Sequence, residues 1–189
     1  MTAVGPAQPR KHLIITVVAL CCVVGITLVL RTGLQEAKKP VTTENTLVGK
    51  PANDFSIVPI ANTTETAPLS LANFKGKPLI INFWASWCES CRSEALEMQK
   101  FWQAHEKDGV VVLGIAVHDT PANSRGFAEK YGKTYVLGLD ETGMAAINYG
   151  VTGVPETIFI DAQGVIRHKE TGPMDVAMLE STLQLITRM

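Results

Sequence analysis

The chain has 189 residues, a formal net charge of −1 and only 19% charged residues. That length holds one domain plus appendages, and the near-neutral balance argues against a nucleic-acid surface. No basic run interleaved with aromatics and no Gly-rich phosphate loop is present, so phosphate-cradling functions are set aside as well.

In chain order, residues 1–12 end on Arg10-Lys11-His12 and precede an uncharged apolar run from Leu13 to Leu30. At about 18 residues this run reaches the lower end of a bilayer span and exceeds a usual signal-peptide core. No small-x-small cleavage site follows; the next residues are Arg31-Thr32-Gly33-Leu34-Gln35. Leu20 before Cys21, and Cys21 before Cys22, lack the small residue of a lipoprotein cleavage site. The expectation is an uncleaved single-pass anchor over 13–30. Its flanks do not fix an orientation, because Arg10 and Lys11 compete with Arg31, Lys38 and Lys39. Residues 31–48 are polar and read as a linker. A globular domain is expected over 49–189.

Within that domain, strand and helix alternate. Asp54 to Ile60 suits a short strand, and the apolar run Leu79 to Ala85 suits a central strand buried on both faces. From Glu89 to about Lys107, Ala95, Met98, Phe101 and Trp102 recur at helical spacing, and Asp108-Gly109 ends that helix. Val110 to Val117 reads as a second buried strand. Pro121 to Tyr131 reads as a helix with proline in its first turn, closed by Gly132. Tyr135 to Leu139 suits a third strand and Thr142 to Tyr149 a short helix. Thr157–Ile160 and Val165–His168 suit a hairpin around Asp161-Ala162-Gln163-Gly164. Asp175 caps a last helix. The pattern predicts an α/β fold with a mixed central sheet covered by helices, preceded by one transmembrane helix.

The chemistry concentrates at Trp87-Cys88-Glu89-Ser90-Cys91, where the first central strand passes into a helix. Unpaired N–H groups and the helix dipole favour a thiolate at a helix N-terminus, and the thiolate is the attacking species in disulfide exchange. A zinc half-site is the other use of such a pair. There is no second CxxC, and His105, His118 and His168 lie in unrelated contexts, which argues against it. Adjacent Cys21 and Cys22 cannot staple a fold to the distant motif and read as small apolar helix residues.

Three separated signals in the right order resemble the thioredoxin superfamily: Asn82-Phe83-Trp84-Ala85-Ser86-Trp87-Cys88-Glu89-Ser90-Cys91, then Gly153-Val154-Pro155-Glu156-Thr157, then the terminal hairpin and helix. Within it, the chain resembles membrane-anchored extracytoplasmic thiol–disulfide proteins of the CcmG/DsbE type and their ResA and TlpA relatives. The segment Tyr149 to Asp161, with Glu156 after the proline, is nearest CcmG/DsbE, whereas Cys-Glu-x-Cys leans toward ResA. The resemblance implies a thioredoxin-like fold, a cytoplasmic residue 1–12 segment, and a domain in the periplasm or an equivalent extracytoplasmic space. Pro155 matches the cis-proline that faces the CxxC. Two departures stand out. Asn82 occupies the place of thioredoxin's buried acid and cannot relay a proton, and Ser90 replaces the proline common before the second cysteine.

The implied roles are these. Cys88 is the nucleophile and Cys91 resolves the mixed disulfide. Glu94, on the same helix face as Cys91, raises thiol pKa values and shuttles a proton; by itself it also reads as a solvated helix carboxylate. Glu156 either faces the motif as a second carboxylate or is a strand-edge side chain in water. Val154 and Pro155 form a substrate ledge, Val154 through its backbone, and Trp87 flanks the motif as a lid. No cofactor or metal is expected beyond the redox-active Cys88–Cys91 disulfide. The implied client is an apocytochrome c CxxCH segment or a haem-ligation component, recharged by a membrane electron donor of the DsbD/CcdA type. The alternative is a ResA/TlpA-like reductase for another client, such as an oxidase copper-site assembly factor. A Sco-like copper protein fits less well: two residues separate the cysteines here, and no histidine stands beside the proline loop. A general oxidase is disfavoured because Glu89, Glu94 and Glu156 oppose a stabilised thiolate.

Overall fold

A computed structural model describes residues 9–36 and 46–187, with side chains over 14–29 and 46–187. The chain divides into two units, Met1–Glu44 and Asn45–Met189. The first holds helix α1, Pro9–Glu36. All of its described side chains, 14–29, are exposed. Among the described residues, no helix is long and apolar enough to cross a membrane. The side chains of Leu13 and Leu30, which close the span expected from sequence, lie outside the described residues, as do residues 1–8 and most of the linker, 37–45.

The second unit is built on β1 (Val58–Ala61), β2 (Leu79–Trp84), β3 (Val111–Val117), β4 (Val136–Asp140), β5 (Glu156–Ile160) and β6 (Ile166–Thr171). Among the described residues these form one six-stranded sheet in the order β1-β4-β3-β2-β5-β6. β2, β3 and β4 run parallel, joined through α2 (Glu89–His105) and α3 (Pro121–Lys130). β5 is antiparallel to β2, and the outer strands β1 and β6 are antiparallel to their neighbours. The mixed α/β sheet expected from sequence is therefore present.

Strand β2 shows why the sheet needs cover on both faces: all six of its residues are buried. Its even positions Ile80 and Trp84 join a core with Met98 and Phe101 of α2, Phe127 of α3 and Leu179 of α5 (Val176–Thr187). Its odd positions Leu79, Ile81 and Phe83 join a second core with Phe55, Phe74 and Tyr149, under the short helix α4 (Met144–Asn148). Strand alternation thus feeds two separate apolar layers. Asn82, also buried, is the polar side chain that β2 sends toward α2.

Two elements differ from the sequence reading. The strand expected over Asp54–Ile60 is confined to Val58–Ala61: Asp54 Oδ1 accepts from the N–H groups of Phe55 and Leu71, tying this stretch to the start of the 3-10 turn Leu71–Phe74, and Ile57 makes a single bridge to Leu69. Strand β6 reaches Thr171, beyond the expected His168. Its Arg167-His168-Lys169-Glu170 run is half-buried, so no apolar alternation announces it.

Candidate active site

Phe83 of β2 pairs with Glu156 of β5. Because the two strands are antiparallel, the exit of β2 and the entrance of β5 share one edge of the sheet. Beyond Trp84 the chain turns once and enters α2 with Cys88 as its N-cap. Asp119, just past β3, pins that turn: its carboxylate accepts from Ser86 N–H at 2.7 Å and from Ser86 Oγ at 2.9 Å. Trp87 Nε1 donates to the His118 carbonyl at 3.0 Å, while the indole stays 60% exposed. His118 itself sits at φ 49°, in the left-handed region.

Cys88 and Cys91 are joined in a disulfide, with Cα atoms 5.3 Å apart, and both are buried. The Cys91 N–H donates to Cys88 Sγ at 3.1 Å. The first turn of α2 therefore aims a backbone donor at the sulfur, which stabilises negative charge there once the bond opens. Across from it, the Val154–Pro155 peptide bond is cis, as the resemblance anticipated. The Val154 carbonyl lies 3.5 Å from Cys88 Sγ, placed to accept from its thiol in the reduced form, and Ser90 Oγ lies 3.5 Å from the same sulfur.

Glu94 is buried, not a solvated helix carboxylate. Its Oε2 accepts from Asn82 Nδ2 at 2.9 Å and its Oε1 from the Met174 N–H at 3.0 Å. Burial pushes its carboxyl above the ordinary range, and these two hydrogen bonds and the Lys133 charge pull against that without reversing it. Asn82 also donates to Thr157 Oγ1 at 3.1 Å. The residue that stands in place of an acid is therefore a clamp for one.

Glu156 is fully buried, and its partners lie along the loop before it. Oε1 accepts from Thr152 N–H at 2.9 Å, Thr152 Oγ1 at 2.9 Å and Gly153 N–H at 3.3 Å. Oε2 meets the Lys169 ammonium at 2.7 Å, outside ideal hydrogen-bond geometry. Neither cysteine is among its described partners. The sequence reading set Glu156 against the motif or in water; its carboxylate instead ties down the proline loop, because three loop donors and a buried lysine converge on it. Lys169 extends the tie by donating to the carbonyls of Tyr149 at 3.1 Å and Gly150 at 2.6 Å.

Among the described residues, no group of three or more His, Cys, Asp or Glu side chains is arranged to hold a metal ion.

Residues 48–169 match the AhpC/TSA family. Over 141 residues the chain is 37% identical to "Thiol:disulfide interchange protein DsbE" of Allochromatium vinosum, spanning 74% of this chain and 75% of that one. It is 35% identical over 167 residues to the DsbE of Pseudomonas fluorescens, spanning 88% of each. The chain belongs to the AhpC/TSA family, among its DsbE-type thiol:disulfide interchange proteins. A solved thioredoxin family thiol:disulfide interchange protein from Chlorobium tepidum superposes with a TM-score of 0.63 at 29% identity, over 72% of this chain and 94% of that one. The fold is thus thioredoxin-like, and as a DsbE-type protein the chain is a thiol–disulfide oxidoreductase with Cys88–Cys91 as its redox pair.

Sequence reasoning passed over three site residues of this DsbE-type domain. Asp119 and Lys169 brace the two loops that meet at the disulfide. Lys133 is buried with its ammonium 3.7 Å from the centre of the Trp84 ring, on the strand that leads into the motif. None carries a local signal: each is a charged residue in a polar stretch, and only tertiary contacts reveal its partner.

Proposed function

We propose that this DsbE-type protein is a membrane-anchored reductant in the periplasm or an equivalent extracytoplasmic space, keeping apocytochrome c CxxCH thiols reduced for haem attachment. The observation that carries the direction of electron flow is Glu94, a buried carboxylate one helical turn beyond Cys91. Negative charge there works against a strongly stabilised thiolate, the device of an oxidant. An oxidising compartment closes client cysteines that haem attachment needs open, so a dedicated local reductant resolves the conflict.

In the proposed cycle the Cys88 thiolate attacks one sulfur of the client disulfide. A Cys88–client disulfide forms and one client thiolate leaves. Cys91 then gives up its proton, attacks Cys88 Sγ and releases the second client thiolate. Two electrons pass to the client, and the protein is left in the disulfide form seen here. Glu94 receives the Cys91 proton. Trp87, Val154 and Pro155 are the proposed client ledge, with Val154 offering its carbonyl to an extended segment. A membrane electron donor of the DsbD/CcdA type completes the cycle, and a haem-ligation component is the alternative disulfide client.

The anchor is proposed to be residues 13–30. Every described side chain of that stretch is exposed, and Thr27 turns its hydroxyl back on the Val23 and Val24 carbonyls at 2.8 and 2.9 Å. A helix apolar all round with its polar groups satisfied internally suits a bilayer.

The deciding experiment is the Cys88–Cys91 reduction potential of the full chain in detergent, with Cys91→Ser used to trap clients. A potential near that of thioredoxin, about −270 mV, and a mixed disulfide with a CxxCH peptide support the reading. A potential near about −120 mV overturns it. Trapping of a copper-site assembly factor in place of the CxxCH peptide moves the client, not the chemistry.

A further inference from the structure

At the edge of the sheet away from the disulfide lies a cavity of about 610 Å³ that thiol exchange does not use. Its floor holds Leu79 and Ile160, which are cross-strand partners where β2 begins and β5 ends. The redox pair follows the other end of β2, where Phe83 pairs with Glu156. Roughly 13 Å of strand, four residues at about 3.3 Å each, separates the two pairs along the sheet. Leu71 and Phe74 line the cavity too, as does the turn between β5 and β6. A concave, mainly apolar site of this size with a few polar groups at its rim has the build of a small-molecule pocket.

Of the charged residues that line it, the acids are answered within the domain and the bases are not. Asp161 is buried: Oδ1 accepts from the N–H groups of Gln163 and Val165, both at 2.9 Å, and Oδ2 meets Arg167 Nε at 2.5 Å. Asp54 turns Oδ1 to the N–H groups of Phe55 and Leu71 at 2.9 and 3.0 Å. Lys75 and Lys77 are exposed, and among the described residues neither forms an ion pair. The backbone sets them at the rim. Phe74-Lys75-Gly76-Lys77 is a tight turn, closed by the Lys77 N–H donating to the Phe74 carbonyl at 3.2 Å. Lys75 lies at φ −56°, ψ 136° and Gly76 at φ 80°. That is the pattern of a type II turn, whose third residue needs positive φ and hence glycine. Pro51 and Ala52, soon after the polar segment 31–48, line the same cavity, with the Ala52 N–H donating to the Gly164 carbonyl at 2.8 Å.

We propose that this cavity binds an anionic amphiphile, with its apolar tail on Leu71, Phe74, Leu79 and Ile160 and its carboxylate or phosphate head held by Lys75 and Lys77. An apolar occupant alone makes no use of the two ammonium groups at the rim, and a bare anion makes no use of the apolar floor. A ligand with both parts matches both. Two sources supply that chemistry: a lipid of a bilayer, and a free fatty acid or alkyl phosphate. The site rests on its own lining, and on nothing about the client or the direction of electron flow. Only the bilayer source rests on the anchor proposed above, since the linker 31–48 leads into Pro51 and Ala52 at the cavity. Occupancy at this edge leaves the Cys88–Cys91 edge open to clients.

The test is a titration of the full chain in phosphatidylcholine nanodiscs, followed by NMR at the backbone amides of Ala72, Gly76 and Ile160. Octanoate should shift these signals to saturation and leave the Trp87 indole signal in place. Acetate, the head without the tail, should shift none of them at the same concentration. Lys75→Gln combined with Lys77→Gln should weaken octanoate binding about tenfold, the loss expected of two exposed ion pairs. Both side chains are exposed, so an unchanged urea midpoint is expected for that variant. Exchanging part of the phosphatidylcholine for phosphatidylglycerol separates the sources. If the same signals move and octanoate then binds more weakly, the ligand is a lipid of the bilayer. If only octanoate moves them, the ligand is a free amphiphile. Signals unmoved by either, an equal response to acetate, or a double variant that binds octanoate as tightly as wild type overturns the proposal.

Discussion

At the scale of single residues, the site consists of two sulfurs whose flanking loops are braced by charged side chains. Glu156 and Lys169 illustrate the cost of that arrangement. Glu156→Gln keeps the shape but removes the carboxylate charge from the buried Glu156–Lys169 pair. Breaking a buried pair from one side costs about 3 kcal/mol. Urea unfolding of the variant should show that loss, with client trapping slowed because the Val154 carbonyl loses its brace. Gly114→Ala is expected to cost about 2 kcal/mol through overpacking, since its Cβ would fall 2.6 Å from Leu137 Cδ2. A shifted urea midpoint at unchanged slope is the readout. The cysteines could be found in the sequence because their spacing is itself the signal, whereas Pro155 and Glu94 stood out only through the resemblance of their segments to the family. Asn82 could be found only as a missing acid. Lys133 and Lys169 could not be found at all, since a lysine's surroundings are decided by strands far away in the chain.

At the scale of elements, the ends of α2 and α5 carry the predictions. His105 closes α2 and reaches across to α5, with Nδ1 2.7 Å from Asp108 Oδ2 and Nε2 2.8 Å from Glu180 Oε1. Burial pulls its pKa down, but the hydrogen bonds to Glu180 and Asp108 raise it above 6.5 overall. A folded-state pKa above the unfolded value gives stability that is fully present below about pH 6.5 and is lost as pH rises through the raised value. His105→Ala should therefore destabilise the protein in mild acid and do much less in alkali, as measured by urea unfolding across pH. Asp175 Oδ1 accepts from the Met178 N–H at 2.8 Å, so Asp175→Ala should cost about 1 kcal/mol of thermal stability through loss of the cap. Elements with strong apolar periodicity, β2, α2 and β3, were legible to within a residue or two. The short strand β1 was not, because pairing with the distant β4, and not hydrophobic pattern, decides where it begins.

At the scale of the whole molecule, redox state and stability are linked. A reductant is one whose disulfide the fold favours, so the oxidised chain should resist urea better than the reduced chain. The reverse order is the signature of an oxidant, whose reduced form is the stabilised one. Comparing the two unfolding curves checks the proposed direction without any client. The sheet order also bears on how the site comes into being. Cys88 and Val154 are 66 residues apart in sequence and meet only because β5 inserts beside β2. Synthesis runs from the N-terminus, so a growing chain presents both cysteines well before the strand that guards them has emerged. Until that long-range pairing closes, the thiols stand open to any passing disulfide. A chain truncated before β5 should therefore be a promiscuous thiol reagent, and client selectivity should appear only once the last hairpin has docked.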